Sequence, residues 1–125
     1  STLIVAETLA SCLTAFTINA DKSLSDRRVW ATVDNVAPDG ICLNDEGQIW
    51  VANALGPEVI LVAKGGEVMT RIKTSQPCYA CMLGGIDGKT LFALTAASAD
   101  GALAAAEKTG KIEVVRVTRP QAGWP

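Results

Sequence analysis

The sequence has no histidine in its 125 residues, which excludes a Ser–His catalytic pair within the chain. No serine stands in a Gly-x-Ser-x-Gly elbow either. The dipeptide Trp-Asp never occurs, so the signature of the WD40 repeat is missing. Long apolar runs are absent. A bilayer span needs about 20 such residues, whereas runs such as Val59-Ile60-Leu61-Val62-Ala63 stop far short of that. Positive charge is sparse and scattered. Eleven Lys and Arg stand against 13 Asp and Glu, for a net charge of -2, and only Arg27 and Arg28 are adjacent. No basic stripe exists to neutralise phosphates, so neither a nucleic acid nor a membrane is expected as a partner. There is no basic n-region of a signal peptide. The chain opens without a Met, directly on Leu3-Ile4-Val5-Ala6, as expected of a polypeptide that continues upstream.

What is present is a globular composition: 49% hydrophobic, 19% charged and a mean hydropathy of +0.26. Four cysteines do not demand a disulfide framework at this length. A reducing, cytoplasmic compartment is the expectation. The organising signal is an internal repeat. Leu3-Ile4-Val5-Ala6-Glu7-Thr8, Ile49-Trp50-Val51-Ala52-Asn53-Ala54 and Leu91-Phe92-Ala93-Leu94-Thr95-Ala96 align without gaps, 46 and then 42 residues apart. Each is a short apolar run of the kind that forms a buried strand. Each is followed by a second β-rich run: Cys12 to Ile18, Val59 to Lys64, and Ile112 to Val117.

Asp45-Glu46-Gly47 and Asp87-Gly88-Lys89 are turn signals ahead of the last two core strands. Gly40 to Leu43 and Cys78 to Leu83 read as first strands, and Val29 to Val33 and Val68 to Thr74 as outer fourth strands. A four-stranded unit recurring every ~40–45 residues is the β-propeller period. A β-sandwich is the alternative, and the constant spacing favours the propeller. The expected organisation is all-β, about three four-stranded blades at approximately 1–36, 37–75 and 76–125. The Ala-rich stretch Ala99 to Glu107 reads as a surface insertion with a helical turn. The tail Pro120 to Pro125 reads as a terminus. Closure takes ~4–8 blades, so three require missing N-terminal blades or a second copy.

Several pieces resemble the senescence marker protein/gluconolactonase, or regucalcin-like, family of lactonases. They are Pro38-Asp39-Gly40-Ile41-Cys42-Leu43, Gly47-Gln48-Ile49-Trp50-Val51-Ala52 and Cys78-Tyr79-Ala80-Cys81-Met82-Leu83-Gly84-Gly85, with Thr90-Leu91-Phe92 and Gly123-Trp124-Pro125. The resemblance implies the C-terminal part of a six-bladed propeller. It also implies hydrolysis of a sugar lactone or related small ester by water bound to one divalent ion (Ca, Zn, Mg or Mn) in the central cavity.

From the residues alone, Pro38-Asp39-Gly40 is a turn tripeptide. The resemblance makes Asp39 a metal ligand and a proton acceptor for the attacking water. Carboxylate oxygen suits a hard ion. The family's other ligands, a Glu of the first blade and an Asn of an Asn-Gly step, have no counterpart here. The 125-residue chain alone is therefore expected to be inactive. Glu7, Asn53 and Thr95 share one repeat position, and a scaffold role is favoured for them. Asn53 is the second candidate for lining the cavity.

Cys78 and Cys81 form a C-x-x-C in a strand-like run, where i and i+3 side chains are expected on opposite faces. Core packing is the favoured role, as it is for Trp30, Trp50, Tyr79 and Phe92. Gly65-Gly66 and Gly84-Gly85 read as turns, because no helix start or Lys-Ser/Thr pair follows them. Rival readings are a non-catalytic scaffold or binding fragment, a half-propeller that pairs with a second copy, and a propeller hydrolase acting on aryl esters or organophosphates.

Overall fold

A computed structural model describes residues 1–123; the Trp124 and Pro125 of the resemblance lie outside them. Ten strands form three separate antiparallel sheets, the blades. Blade I holds β1 (Thr2–Glu7), β2 (Cys12–Ile18) and β3 (Leu24–Thr32). Blade II holds β4 (Pro38–Leu43), β5 (Ile49–Asn53), β6 (Glu58–Val62) and β7 (Val68–Lys73). Blade III holds β8 (Cys78–Gly84), β9 (Thr90–Thr95) and β10 (Lys111–Arg116). Strand order follows the sequence in every blade, as in a chain of hairpins.

Blade II explains the apolar runs of the sequence. Ile49 and Val51 of β5, with Ile60 and Val62 of β6, join a core against blade I that includes Leu13, Ala15, Trp30 and Val33. The alternate residues Trp50, Ala52, Val59 and Leu61 join a second core against blade III, with Cys78, Cys81, Leu83, Leu91 and Ala93. A strand buried on both faces is apolar at every position, and all five residues of β5 are buried. The end blades have one covered face each. Leu3, Val5 and Val29 are exposed on blade I, and Met82, Leu94, Ile112 and Val114 on blade III.

Among the described residues only blade II has the four strands expected of every blade. Blade I starts with what the repeat makes its second strand. In blade III the chain does not add a fourth strand after β10. It crosses instead to blade II, where Ala122 N donates to the Leu43 carbonyl (3.1 Å) and Arg119 pairs with Asp45 (2.8 Å). The outer strand β3 begins at Leu24, well before the expected Val29; its early residues are exposed and carry no apolar alternation to mark them in the sequence.

The Ala-rich insertion is a helix, α1 (Gly101–Glu107). Asp100 caps its N-terminus by accepting from Ala102 N and Leu103 N. Trp30 and Trp50 are buried in the two cores, while Tyr79 and Phe92 are only partly covered.

Candidate functional site

The innermost strands β4 and β8 are edge strands of their sheets, and Asp39 lies on β4. Pro38-Asp39-Gly40 is not a turn. Pro38 pairs with Asn53 and Ile41 with Val51, so Asp39 and Gly40 stand opposite the single residue Ala52. This is a β-bulge, a device that re-aims a side chain at a strand end. Gly40 serves a close approach between blades. A Cβ placed there would lie 2.6 Å from Ala80 Cα in β8. The bulge leaves the Asp39 side chain exposed, and no hydrogen bond or ion pair joins its carboxylate to the described residues.

Among the described residues no three His, Cys, Asp or Glu side chains converge so as to hold an ion. One carboxylate does not fit a divalent cation that takes about six or more oxygen ligands. The described residues of the three blades therefore bring together no carboxylate, thiolate or imidazole set for such an ion. Asp39 lies close enough to Cys78 that its charge opposes ionisation of that thiol. Burial is the largest cause and the Glu113 carboxylate adds more than Asp39 does; together they push Cys78 up to about 11.

Asn53 is buried among polar groups of blade II rather than free at a cavity. Its Oδ1 accepts from Ala37 N and Leu55 N (both 3.1 Å), and its Nδ2 donates to Glu58 Oε1 (3.0 Å). Glu58 in turn pairs with Arg71 (2.9 Å). The equivalent positions behave alike. Glu7 accepts from the Thr14 hydroxyl and from Arg27 (2.7 Å). The Thr95 hydroxyl donates to Glu113 Oε1 (2.9 Å), which also accepts from the Ser75 hydroxyl (2.7 Å). Each blade thus fixes the end of this strand through a hydrogen-bonded carboxylate.

Asn53→Ala strands two backbone N–H groups, so it is expected to cost roughly 1–3 kcal/mol of urea-unfolding stability. Catalytic parameters of the full-length protein are expected to stay unchanged.

These ties have a pH signature. The Thr14 hydroxyl and Arg27 hold Glu7 below the ordinary carboxylate range, and the Ser75 and Thr95 hydroxyls do the same to Glu113. Asp87 is held well below it by Arg116, whose guanidinium lies 2.8 Å away. A carboxyl group whose folded pKa is depressed adds stability above its unfolded pKa of roughly 4. That stability is lost as pH falls through the folded value. Urea midpoints are expected to be flat near neutrality and to decline below about pH 4, with a shallower decline in Asp87→Asn.

One buried polar residue of the blades carried no role in the sequence. Asn44 is fully buried at the β4–β5 turn. Its Oδ1 accepts from Glu46 N and Gln48 N, and its Nδ2 donates to Gln48 Oε1. The Asn-x-x-x-Gln spacing within a turn signal was the cue. The innermost edge also carries two clefts of about 310 and 220 Å³ that share Ile41, Cys42 and Leu43 as lining.

The SMP-30/Gluconolactonase/LRE-like region family matches residues 1–97 of this chain. The chain belongs to that family. Three solved structures of similar fold agree with the blade geometry. One is a luciferin-regenerating enzyme, with 18% identity, a TM-score of 0.80 and coverage of 96% of this chain and 43% of that one. The second is a candidate gluconolactonase, with 21% identity, a TM-score of 0.76 and coverage of 98% and 37%. The third is regucalcin from Agrobacterium tumefaciens, a calcium-binding protein, with 17% identity, a TM-score of 0.74 and coverage of 98% and 44%. At such identities these likenesses show the fold, a partial β-propeller. The chain spans less than half the length of each, which accords with uncovered faces on both end blades.

Proposed function

We propose that this chain is the C-terminal part of a propeller enzyme that hydrolyses sugar lactones or related small esters with the aid of one divalent ion. In this reading Asp39 is one ligand of that ion. The observation that carries it is the bulged, exposed Asp39 on the innermost strand of blade II, within a chain of the SMP-30/Gluconolactonase/LRE-like family. Regucalcin, one of the structural relatives, is a calcium-binding protein, which makes calcium the first ion to test. The remaining ligands, and the walls of the substrate cavity, come from blades outside this chain.

The test is hydrolysis of a panel of sugar lactones and aryl esters by the full-length protein, before and after chelation and with Ca, Mn, Zn or Mg added back. Lactone turnover that chelator abolishes and a divalent ion restores supports the proposal. Ester turnover indifferent to chelator, or no turnover with any ion, contradicts it. The 125-residue chain alone is expected to be inactive, because its described residues hold no cluster of three ligands. That same observation favours the second reading, a non-catalytic scaffold, should the natural protein consist of these blades only.

A further inference from the structure

We propose that Cys42 and Cys81 form an oxidation site, at which a peroxide converts the two thiols into one disulfide tying blade II to blade III across their innermost strands. This does not rest on the lactonase reading. Cys42 lies on β4 and Cys81 on β8. Both are buried, in one apolar cluster with Trp50 and Leu83. The two strands run as close as packing allows, since a Cβ on Gly40 would meet Ala80 Cα at 2.6 Å. Cys81 Sγ donates to the Gly40 carbonyl at 3.4 Å and lies 3.5 Å from the Trp50 carbonyl. Trp50 is the ladder partner of Cys42, so the Cys81 sulfur sits against the strand that carries Cys42 and against its partner residue on β5.

The pair is polarised and reachable. The neighbouring Cys81 thiol holds Cys42 below the ordinary thiol value, while Cys42 and burial push Cys81 well above it. Thiolate is the reactive form of cysteine, so Cys42 attacks first. Cys42 also lines both clefts of the inner edge, which gives a small oxidant its route.

The Cys42 sulfur takes one oxygen of hydrogen peroxide, the O–O bond breaks, and hydroxide leaves to be protonated to water. The Cys81 sulfur then attacks the Cys42 sulfenic acid. The S–O bond breaks, the S–S bond forms, and a second water departs with the Cys81 proton. Two thiols are oxidised and one peroxide is reduced to two waters. The other cysteines are placed differently. Cys78 donates to the Ala80 carbonyl of its own strand (3.3 Å), and Cys12 is on blade I beside Thr14.

The test treats the reduced full-length protein with equimolar hydrogen peroxide. It then counts free thiols under denaturing conditions and maps the digest by mass spectrometry. The expected result is a loss of two thiols, an intact mass lower by two hydrogens, and a dithiothreitol-reversible link between the tryptic peptides Val29–Lys64 and Thr74–Lys89. The second peptide contains both Cys78 and Cys81, so variants assign the bond. Cys78→Ser should retain the link, and Cys42→Ser and Cys81→Ser should each lose it. The wild-type map stands even if a variant fails to fold. Unchanged thiols, added oxygen without a cross-link, or a bond between any other pair would overturn the proposal.

Discussion

Asp39→Ala in the full-length protein is expected to lower kcat/KM for lactone hydrolysis by at least about a hundredfold. Outer-shell partners of a metal already cost 10–100-fold when removed, and a direct ligand costs more. Stability should change by no more than about 0.5 kcal/mol, as at an ordinary surface site. The side chain is exposed and has no partner among the described residues. The strand start is held by Pro38, which is fully buried, and by the Gly40–Ala80 approach. A purely structural Asp39 predicts the reverse, with a lower urea midpoint and unchanged turnover. The measurement pairs steady-state kinetics with equilibrium unfolding of the same preparation.

Gly66→Ala is expected to be the most destabilising small substitution in these blades. Gly66 has φ +106, and a Cβ there would lie 2.3 Å from the Thr32 carbonyl oxygen and 3.3 Å from Thr32 N. The preceding Gly65 donates its N–H to the Trp30 carbonyl (2.9 Å). The β6–β7 turn of blade II is thus pressed onto the outer strand of blade I, with Ala31 and Gly65 bridged in parallel. A side chain at positive φ costs roughly 1–2 kcal/mol, and forcing an added methyl into a packed contact a further ~1–3. The expected loss is therefore about 2–5 kcal/mol. Gly65→Ala is the control. It has φ +99 with nothing within 4 Å of the added carbon, so only the backbone term of roughly 1–2 kcal/mol applies. Equal losses in the two variants would show that the interblade contact contributes nothing.

The blades were legible because a strand buried on both faces is apolar throughout, and β5 repeats that pattern between two relatives in sequence. Ile49 to Asn53 announced blade II, and Leu3 and Leu91 marked its neighbours. The Asp45-Glu46-Gly47 and Asp87-Gly88-Lys89 turns were equally plain, since Gly47 and Gly88 adopt positive φ there.

The bulges were not legible. One extra residue in a ladder leaves no trace in composition. The first bulge turned Pro38-Asp39-Gly40 from an apparent turn into a strand start. The second, between Cys78 and Ala80, shifts the register so that Cys78 and Cys81 share one core, against the strict alternation that would part them. Similarly, the return of the chain from β10 to blade II depends on Arg119 finding Asp45, a pairing that only the fold brings together. Asp39 is singled out as a ligand by the resemblance alone. A single Asp in a Pro-Asp-Gly step has no chemistry that sets it apart from a turn.

The most direct test of the account is a crystal structure of the full-length protein grown with manganese, with the ion located by its anomalous scattering. The account predicts one ion on the propeller axis with an Asp39 carboxylate oxygen within bonding distance, about 2.0–2.6 Å for hard divalent cations. An ion bound elsewhere, or on the axis with Asp39 turned into solvent, would contradict it.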